Sequence, residues 1–444
     1  MKKSSLLIIL FSVLVVACND LFRQSEHTQT NSIGDAMDYP ATRKMDFEDE
    51  YFGTVVSDPF RWLEDDLSEE TEVWVDAQNT VTFEYLNTIP YRDEIKDRLE
   101  QLWDYEKVGA PFKEGQFTYF YKNEGLQNQY VLYRVDAEGS VEVFLDPNSF
   151  SDDGTTSLSS LSFSKDGSLA AYSISEAGSD WRKIIVIDAT TKKMLEDPII
   201  DVKFSGISWK GNEGFFYSSY DKPEGSELSA KTDEHKLYFH RLGTPQKSDK
   251  AIFGDTPEQK RRYVGGNVTE DGRYLVISGA MSTTGNDLYL QDLTRPGLPV
   301  TTILDNMEHE AYVIDNEGSK LYIVTDMNAP NQRIVTVDAS NPEPGNWVDF
   351  IAETENVLVP SKGGGYFFAE YMIDALSRVF QYDYQGNIVR EVPLPGPGSS
   401  SSIGGKRDAE ELYYSFTNYK TPPTIYKLNL ATNESVIYFR MRLL

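Results

Sequence analysis

Four histidines are all that this chain offers for proton transfer near neutral pH. His27 lies in a polar N-terminal stretch, His235 and His240 flank a short strand from Lys236 to Phe239, and His309 sits in the acidic turn Glu308-His309-Glu310. No His-Glu-x-x-His spacing occurs, so no helix presents a zinc pair, and His309 reads as part of a solvated turn. A serine hydrolase needs its Ser on a strained Gly-x-Ser-x-Gly elbow, and the chain has none. The nearest run, Gly398-Ser399-Ser400-Ser401-Ser402, lacks the second Gly and follows Pro395 and Pro397, so it reads as a loop between strands. Gly404-Gly405-Lys406-Arg407 suggests a phosphate loop, but no Gly stands five residues before Gly405 and no Ser or Thr follows Lys406. Acidic pairs such as Asp65-Asp66 and Asp152-Asp153 suit turns and surface. The residues therefore assign no catalytic group, no metal site and no cofactor.

Cys18 is the single cysteine, which excludes an internal disulfide and any multi-cysteine zinc site. It follows Met1-Lys2-Lys3 and an apolar run from Leu6 to Ala17 broken only by Ser12. That run is too short to span a bilayer, which takes ~20 apolar residues. Val15-Val16-Ala17-Cys18 matches a bacterial lipobox, so Cys18 is the expected lipidation site of an exported, membrane-anchored lipoprotein. Residues 19–38 are polar and read as a flexible tether. Lys and Arg number 42 against 70 Asp and Glu, a formal charge of −28. Phosphate backbones require the opposite sign, so nucleic acid is not an expected partner.

The elements that would position any site fall into two kinds. Between Tyr39 and Tyr105, Asp58-Pro59-Phe60-Arg61-Trp62-Leu63-Glu64 reads as a turn with a short element, and Glu69 and Glu70 open a helix. Trp74, Ala77, Val81 and Tyr85 give that helix an apolar face, and Pro90 ends it. Ile95, Leu99, Leu102 and Trp103 do the same for a second helix. Two such helices are too few for a domain, so their apolar faces call for a partner.

From about residue 106 the chain reads as strands, in keeping with its 27 Tyr and 23 Phe. A unit recurs in which an Asp/Asn/Glu-Gly turn precedes an aromatic-rich strand. Asp166-Gly167, Asp271-Gly272 and Glu317-Gly318 are clear copies; Gly115, Gly214, Gly364 and Asp408 mark weaker ones. Successive markers lie about 44–58 residues apart, the period of four-stranded propeller blades. Seven markers predict an all-β fold, a seven-bladed β-propeller behind a short helical segment. The longest gap is assigned to a loop at residues 221–235.

The motifs also carry a resemblance. Asp58 to Glu64, Thr71 with Trp74, Ala77-Gln78-Asn79, Leu102-Trp103-Asp104-Tyr105 and Asn123-Glu124-Gly125-Leu126-Gln127-Asn128-Gln129 stand in one order. Leu145-Asp146-Pro147-Asn148, Gly178-Ser179-Asp180-Trp181 and Val202-Lys203-Phe204-Ser205 continue it. Together, from Tyr39 to Val436, they resemble the N-terminal part of the prolyl oligopeptidase (prolyl endopeptidase) family. The resemblance implies a prefix that belongs to an α/β-hydrolase domain and a seven-bladed propeller inserted in it. It also implies cleavage of short peptides after proline by a Ser/His/Asp triad, with the propeller restricting entry. Phe204 and Val264 match propeller positions that approach substrate in that family.

The resulting expectation is a signal peptide at 1–17, a tether at 18–38, a hydrolase prefix at 39–105, a propeller at 106–436 and a tail at 437–444. The triad-bearing segments of the family have no counterpart here, so the chain is expected to be a truncated serine endopeptidase, inactive alone. Its expected partners are short proline-containing peptides, a membrane through the Cys18 lipid, and a hydrolase half made as a separate chain. The alternative is a membrane-tethered propeller that binds peptides or proteins without cleaving them.

Overall fold

The computed structural model describes residues 37–223 and 232–440. Cys18, the tether with His27, and part of the insertion at 221–235 lie outside the described residues. The chain divides into two compact units between Asp93 and Glu94.

In the first unit, Glu48–Tyr51 and Thr54–Ser57 form an antiparallel hairpin. The Asp58-to-Glu64 run is a turn leading into one turn of 3-10 helix, Arg61–Glu64. Helix α1, Glu69–Asn87, starts where its acidic first turn predicts. The Ser68 hydroxyl accepts from the Thr71 N–H at 3.1 Å, satisfying one of the donors a helix start leaves unpaired. Trp74, Ala77 and Val81 are half-buried, and the Trp74 indole donates to Thr42 Oγ1 at 2.9 Å. Tyr85, on the same predicted face, is exposed, as are Val73 and Phe83.

Helix α2 is Arg92–Trp103. Its predicted apolar residues Ile95, Leu99, Leu102 and Trp103 are between 50% and 62% exposed. An amphipathic helix draws most of its stability from burying such a face, so this one is left uncovered in the described structure.

The second unit holds seven antiparallel sheets built from consecutive strands, the seven-bladed propeller that the repeats predict. Blades 1 to 7 span residues 107–145, 157–203, 208–253, 263–304, 311–351, 358–392 and 399–440. Blade 1 counts five strands because its inner strand is split. Lys107–Val108 and Phe112–Glu114 both pair with Phe117–Asn123, and the break holds Pro111, which has no N–H for a ladder. The last strand is Glu434–Arg440. Residues 437–440, expected as the start of a tail, therefore complete blade 7, where Ile437 and Phe439 pair with Tyr426 and Ile425.

All seven sequence markers fall at the hairpins joining the innermost strand of a blade to its second strand. Strand direction then gathers them at one axial end. At Gly167 φ is 71°, and a Cβ there would lie 2.2 Å from the Gly115 nitrogen, so the neighbouring turn leaves room only for glycine.

Blades 2 to 6 are apolar on both faces because each packs between two others. Separate buried clusters join blades 1 and 2 (Tyr119, Phe144, Ile187), 2 and 3 (Ile184, Trp209, Phe215) and 3 and 4 (Leu237, Val264, Leu275). Others join blades 4 and 5, 5 and 6, and 6 and 7. Polar staples add to them. Arg134 of blade 1 donates to the Ala189 and Thr190 carbonyls of blade 2. His240 of blade 3 lies between Glu196, 3.1 Å from Nε2, and Asp249, 2.9 Å from Nδ1. Blades 1 and 7 meet differently. No buried apolar cluster joins them among the described residues, and each sheet keeps its own strands. A cavity of about 1050 Å³ lies at this seam, lined by Phe112, Glu114 and Thr118 on one side and Gly405, Lys406 and Tyr413 on the other.

Candidate functional site

The marker turns carry charge as well as glycine, and their side chains meet over the propeller axis. Lys406 Nζ of blade 7 pairs with Glu114 of blade 1 at 2.6 Å. Lys165 Nζ of blade 2 donates to the Asp271 carbonyl of blade 4 at 2.7 Å. Lys362 of blade 6 pairs with Glu270 of blade 4 at 2.6 Å and with Asp315 of blade 5 at 2.9 Å. The Arg407 N–H of blade 7 donates to Glu270 at 2.8 Å, and its guanidinium reaches Asp315 and the Asn316 carbonyl. Blades 2 and 4, 4 and 6, 4 and 7, and 5 and 7 are not ring neighbours. These bonds therefore cross the axial opening.

Asp315 is the hub. Its side chain is 2% exposed and accepts from Tyr384, Lys362 and Arg407. Burial pushes its pKa up, but the Tyr384 hydroxyl and the two cations outweigh burial and hold it below the ordinary carboxylate range. Arg407 also stacks 4.5 Å from the Tyr384 ring centre. Beneath these groups lies a cavity of about 530 Å³ whose lining comes from blades 1 to 5 and 7, so it is part of the axial channel. Gly404-Gly405-Lys406-Arg407, rejected above as a phosphate loop, thus delivers two cations to the channel mouth. Two adjacent basic residues in a marker turn of an acidic chain were the available signal.

The opposite axial end holds the residues singled out by resemblance. Phe204 follows the last strand of blade 2, Ile199–Lys203, with φ at 51°, the left-handed region disfavoured for an aromatic residue. Its ring is 42% exposed and rests between Tyr220, at 6.2 Å, and Tyr263, at 5.9 Å. Lys203 Nζ lies 5.3 Å from the Phe204 ring and 5.0 Å from that of Trp181. Val264 opens blade 4 at the same end, in the strand Tyr263–Val268. Its side chain is buried between blades 3 and 4 and presents no surface; its N–H donates to His235 Nδ1 at 2.8 Å.

Both internal histidines lie inside the strand His235–Arg241 rather than beside it, and both are 1% exposed. Burial lowers the His235 pKa to about 4 against a weaker opposing bond to the Lys203 carbonyl. Burial acts the same way on His240, but Asp249 and Glu196 outweigh it and raise that pKa. His309 Nδ1 lies 3.4 Å from Asp326. Ser399–Ser400 forms the inner strand of blade 7, and Ser400 Oγ donates to the Glu370 carboxylate at 2.9 Å. No group of three or more His, Cys, Asp or Glu side chains is placed to hold a metal among the described residues.

Residues 39–440 match the family described as prolyl oligopeptidase, N-terminal β-propeller domain. A prolyl endopeptidase of Elizabethkingia miricola is 55% identical over 404 residues, covering 91% of this chain and 57% of the relative. Prolyl oligopeptidase A of Galerina marginata is 31% identical over 439 residues, covering 89% and 58%. Among solved structures, one from a mechanistic study of two prolyl endopeptidases superposes with a TM-score of 0.81 at 29% identity, covering 91% of this chain and 60% of the other. Prolyl oligopeptidase B of Galerina marginata, bound to a 35-residue hydrolysis and macrocyclisation substrate, gives 0.80 at 26%, covering 91% and 61%. The chain thus spans about three-fifths of the length of these relatives.

Proposed function

The chain belongs to the prolyl oligopeptidase family through its N-terminal β-propeller domain, and from that premise we propose that it is the substrate-admitting part of a serine-type endopeptidase that cleaves short peptides after proline. The observation that carries the reading is the axial channel, lined by six blades and bridged at one mouth by ion pairs between non-neighbouring blades. A closed ring with a charged mouth excludes folded chains and passes narrow ones. At the other end Phe204 offers an aromatic ring to an incoming peptide, and Val264 supports that end from behind through its backbone. In this reading the chain supplies binding and sieving, and its buried His235 and His240 serve to link neighbouring blades. The lipobox-like Val15-Val16-Ala17-Cys18 supports export and a lipid on Cys18, which would put this work at a membrane surface.

The test is a pair of assays with a chromogenic Gly-Pro peptide. The purified 444-residue chain should release no chromophore. A chimera carrying its residues 39–440 in place of the matching part of the Elizabethkingia miricola enzyme should hydrolyse the peptide and spare a folded protein substrate. Turnover by the chain alone, after contaminating peptidase is excluded, refutes the division of labour. A folded chimera without activity refutes the assignment.

A further inference from the structure

His235 has no part in the channel mouth, yet it bonds to Val264 and to the Lys203 carbonyl that immediately precedes Phe204. The Val264 N–H can only donate, so His235 Nδ1 accepts it, at 2.8 Å. The Lys203 carbonyl can only accept, so Nε2 carries the proton, at 2.9 Å. These two backbone groups fix the ring as a neutral Nε2–H tautomer. The imidazole also lies flat on Tyr220, with centres 4.3 Å apart and planes at 24°. Tyr220 in turn donates to the Arg262 carbonyl and contacts the edge of Phe204. One side chain of blade 3 therefore joins the end of blade 2, just before Phe204, to the start of blade 4.

We propose that His235 is the positioning residue of this axial end: as the Nε2–H tautomer it ties the Lys203 carbonyl to the Val264 N–H and so holds Phe204 in the left-handed conformation that displays its ring. That a peptide meets this ring rests on the function proposed above; the tie itself does not. A residue in the left-handed region persists only where its surroundings over-determine it, and Phe204 is flanked by this tie on one side and by Tyr263 on the other. Protonation would put a second N–H opposite the Val264 N–H and break the tie. The charged groups around the ring are already engaged. Lys203 sits over Trp181 and Phe204; Arg261, whose carbonyl accepts the His235 N–H, binds Asp287 at 2.7 Å. Lys236 pairs with Asp221 at 2.8 Å, and Glu234 with Lys260. Among the described residues no carboxylate bonds to the imidazole to favour its protonated form, and burial lowers its pKa to about 4. The tie therefore holds at neutral pH and opens in acid.

The first measurement needs no variant. With only four histidines, the full chain labelled with ¹⁵N-histidine gives a readable long-range ¹H–¹⁵N spectrum. One imidazole should remain the neutral Nε2–H tautomer from about pH 8 down to about pH 5, and His235→Gln should remove that signal. An Nδ1–H tautomer, or a protonated ring at neutral pH, overturns the proposal. The second measurement is amide hydrogen exchange at Val264 and across Lys203–Gly206. His235→Phe keeps the stacking ring but loses both bonds, and should speed exchange there by about tenfold or more. His235→Gln, whose amide can both donate and accept, should restore protection and abolish its acid dependence. Unchanged exchange in a folded His235→Phe variant overturns the proposal. The third is calorimetric binding of the peptide Ala-Gly-Pro-Phe. His235→Phe and Phe204→Ala should each weaken it about tenfold, and together no further. If Phe204→Ala leaves binding unchanged while exchange responds to His235, the functional reading fails and the positioning role stands.

Discussion

Replacing His240 with alanine tests how much of the propeller is held by charge rather than by apolar packing. The imidazole is 1% exposed, with Asp249 at 2.9 Å and Glu196 at 3.1 Å, their side chains 3% and 12% exposed. A ring that donates from both nitrogens is an imidazolium. Asp249 also accepts from the Tyr217 hydroxyl at 2.9 Å and Glu196 from the Gly243 N–H at 2.8 Å, so the remaining acceptor capacity is well used. Removing the cation leaves two carboxylates in a buried interface between blades 2 and 3. Breaking such a pair costs about 3–5 kcal/mol. Urea unfolding followed by tryptophan fluorescence should show the loss as a lower midpoint at unchanged slope. Arg378→Ala, which removes an exposed pair with Glu391, is the control and should move the midpoint little. Because the folded pKa of His240 is raised, its contribution is full below about pH 6.5 and is lost as pH rises through the folded value. The difference between wild type and His240→Ala should therefore shrink in alkali. A cost no greater than that of the control, or a difference that grows with pH, refutes the reasoning.

Asp315→Asn should lower stability by about 2–3 kcal/mol, because Lys362 and Arg407 would then face each other across a neutral amide; a melting temperature equal to wild type would show that the mouth is not braced there. His235 makes the opposite pH statement to His240. Its folded pKa is lowered from 6.5 to about 4, so its contribution is present above about pH 6.5 and falls by about 3 kcal/mol as pH drops through that interval. Urea midpoints at a series of pH values should show this acid loss in wild type and less of it in His235→Gln; equal profiles would sink the assignment. Cys18→Ser should abolish incorporation of radiolabelled palmitate in a bacterial host, and undiminished labelling would rule out the lipobox reading.

Much of the propeller was legible because the signal repeats. Asp271-Gly272 is one turn, but seven such turns at blade spacing specify an architecture, and strand direction then brings them to one end. The meeting of their charges was not legible. Lys362 and Glu270 are 92 positions apart, and only closure of the ring brings them within 2.6 Å. The two buried histidines were hidden for a related reason. Five positions apart on one strand, they point to opposite faces, which on an isolated sheet would leave one in solvent. A blade is covered on both faces, so His240 meets blade 2 while its strand neighbour Leu237 packs towards blade 4. The uncovered face of helix α2 was legible as an amphipathic pattern, while nothing in that pattern says what covers it. Val264 was named from a matched position, and what that match does not carry is the packing: its side chain lies in the core between blades 3 and 4.

The seam between blades 1 and 7 changes what kind of cooperative system this propeller is. Geometrically the blades form a circle, but among the described residues their buried apolar couplings run 1–2, 2–3, 3–4, 4–5, 5–6 and 6–7 and stop. Thermodynamically that is an open chain of nearest neighbours, like a solenoid bent until its ends touch. The two terminal blades each have one strong partner and the middle blades have two, so local opening should be easiest at blades 1 and 7 and hardest around blade 4. The Glu114–Lys406 contact that completes the circle is an ion pair beside a large cavity, and salt weakens such a link far more than it weakens apolar packing. Ionic strength should therefore act as a dial on the fraying of the end blades while leaving the middle of the array almost untouched.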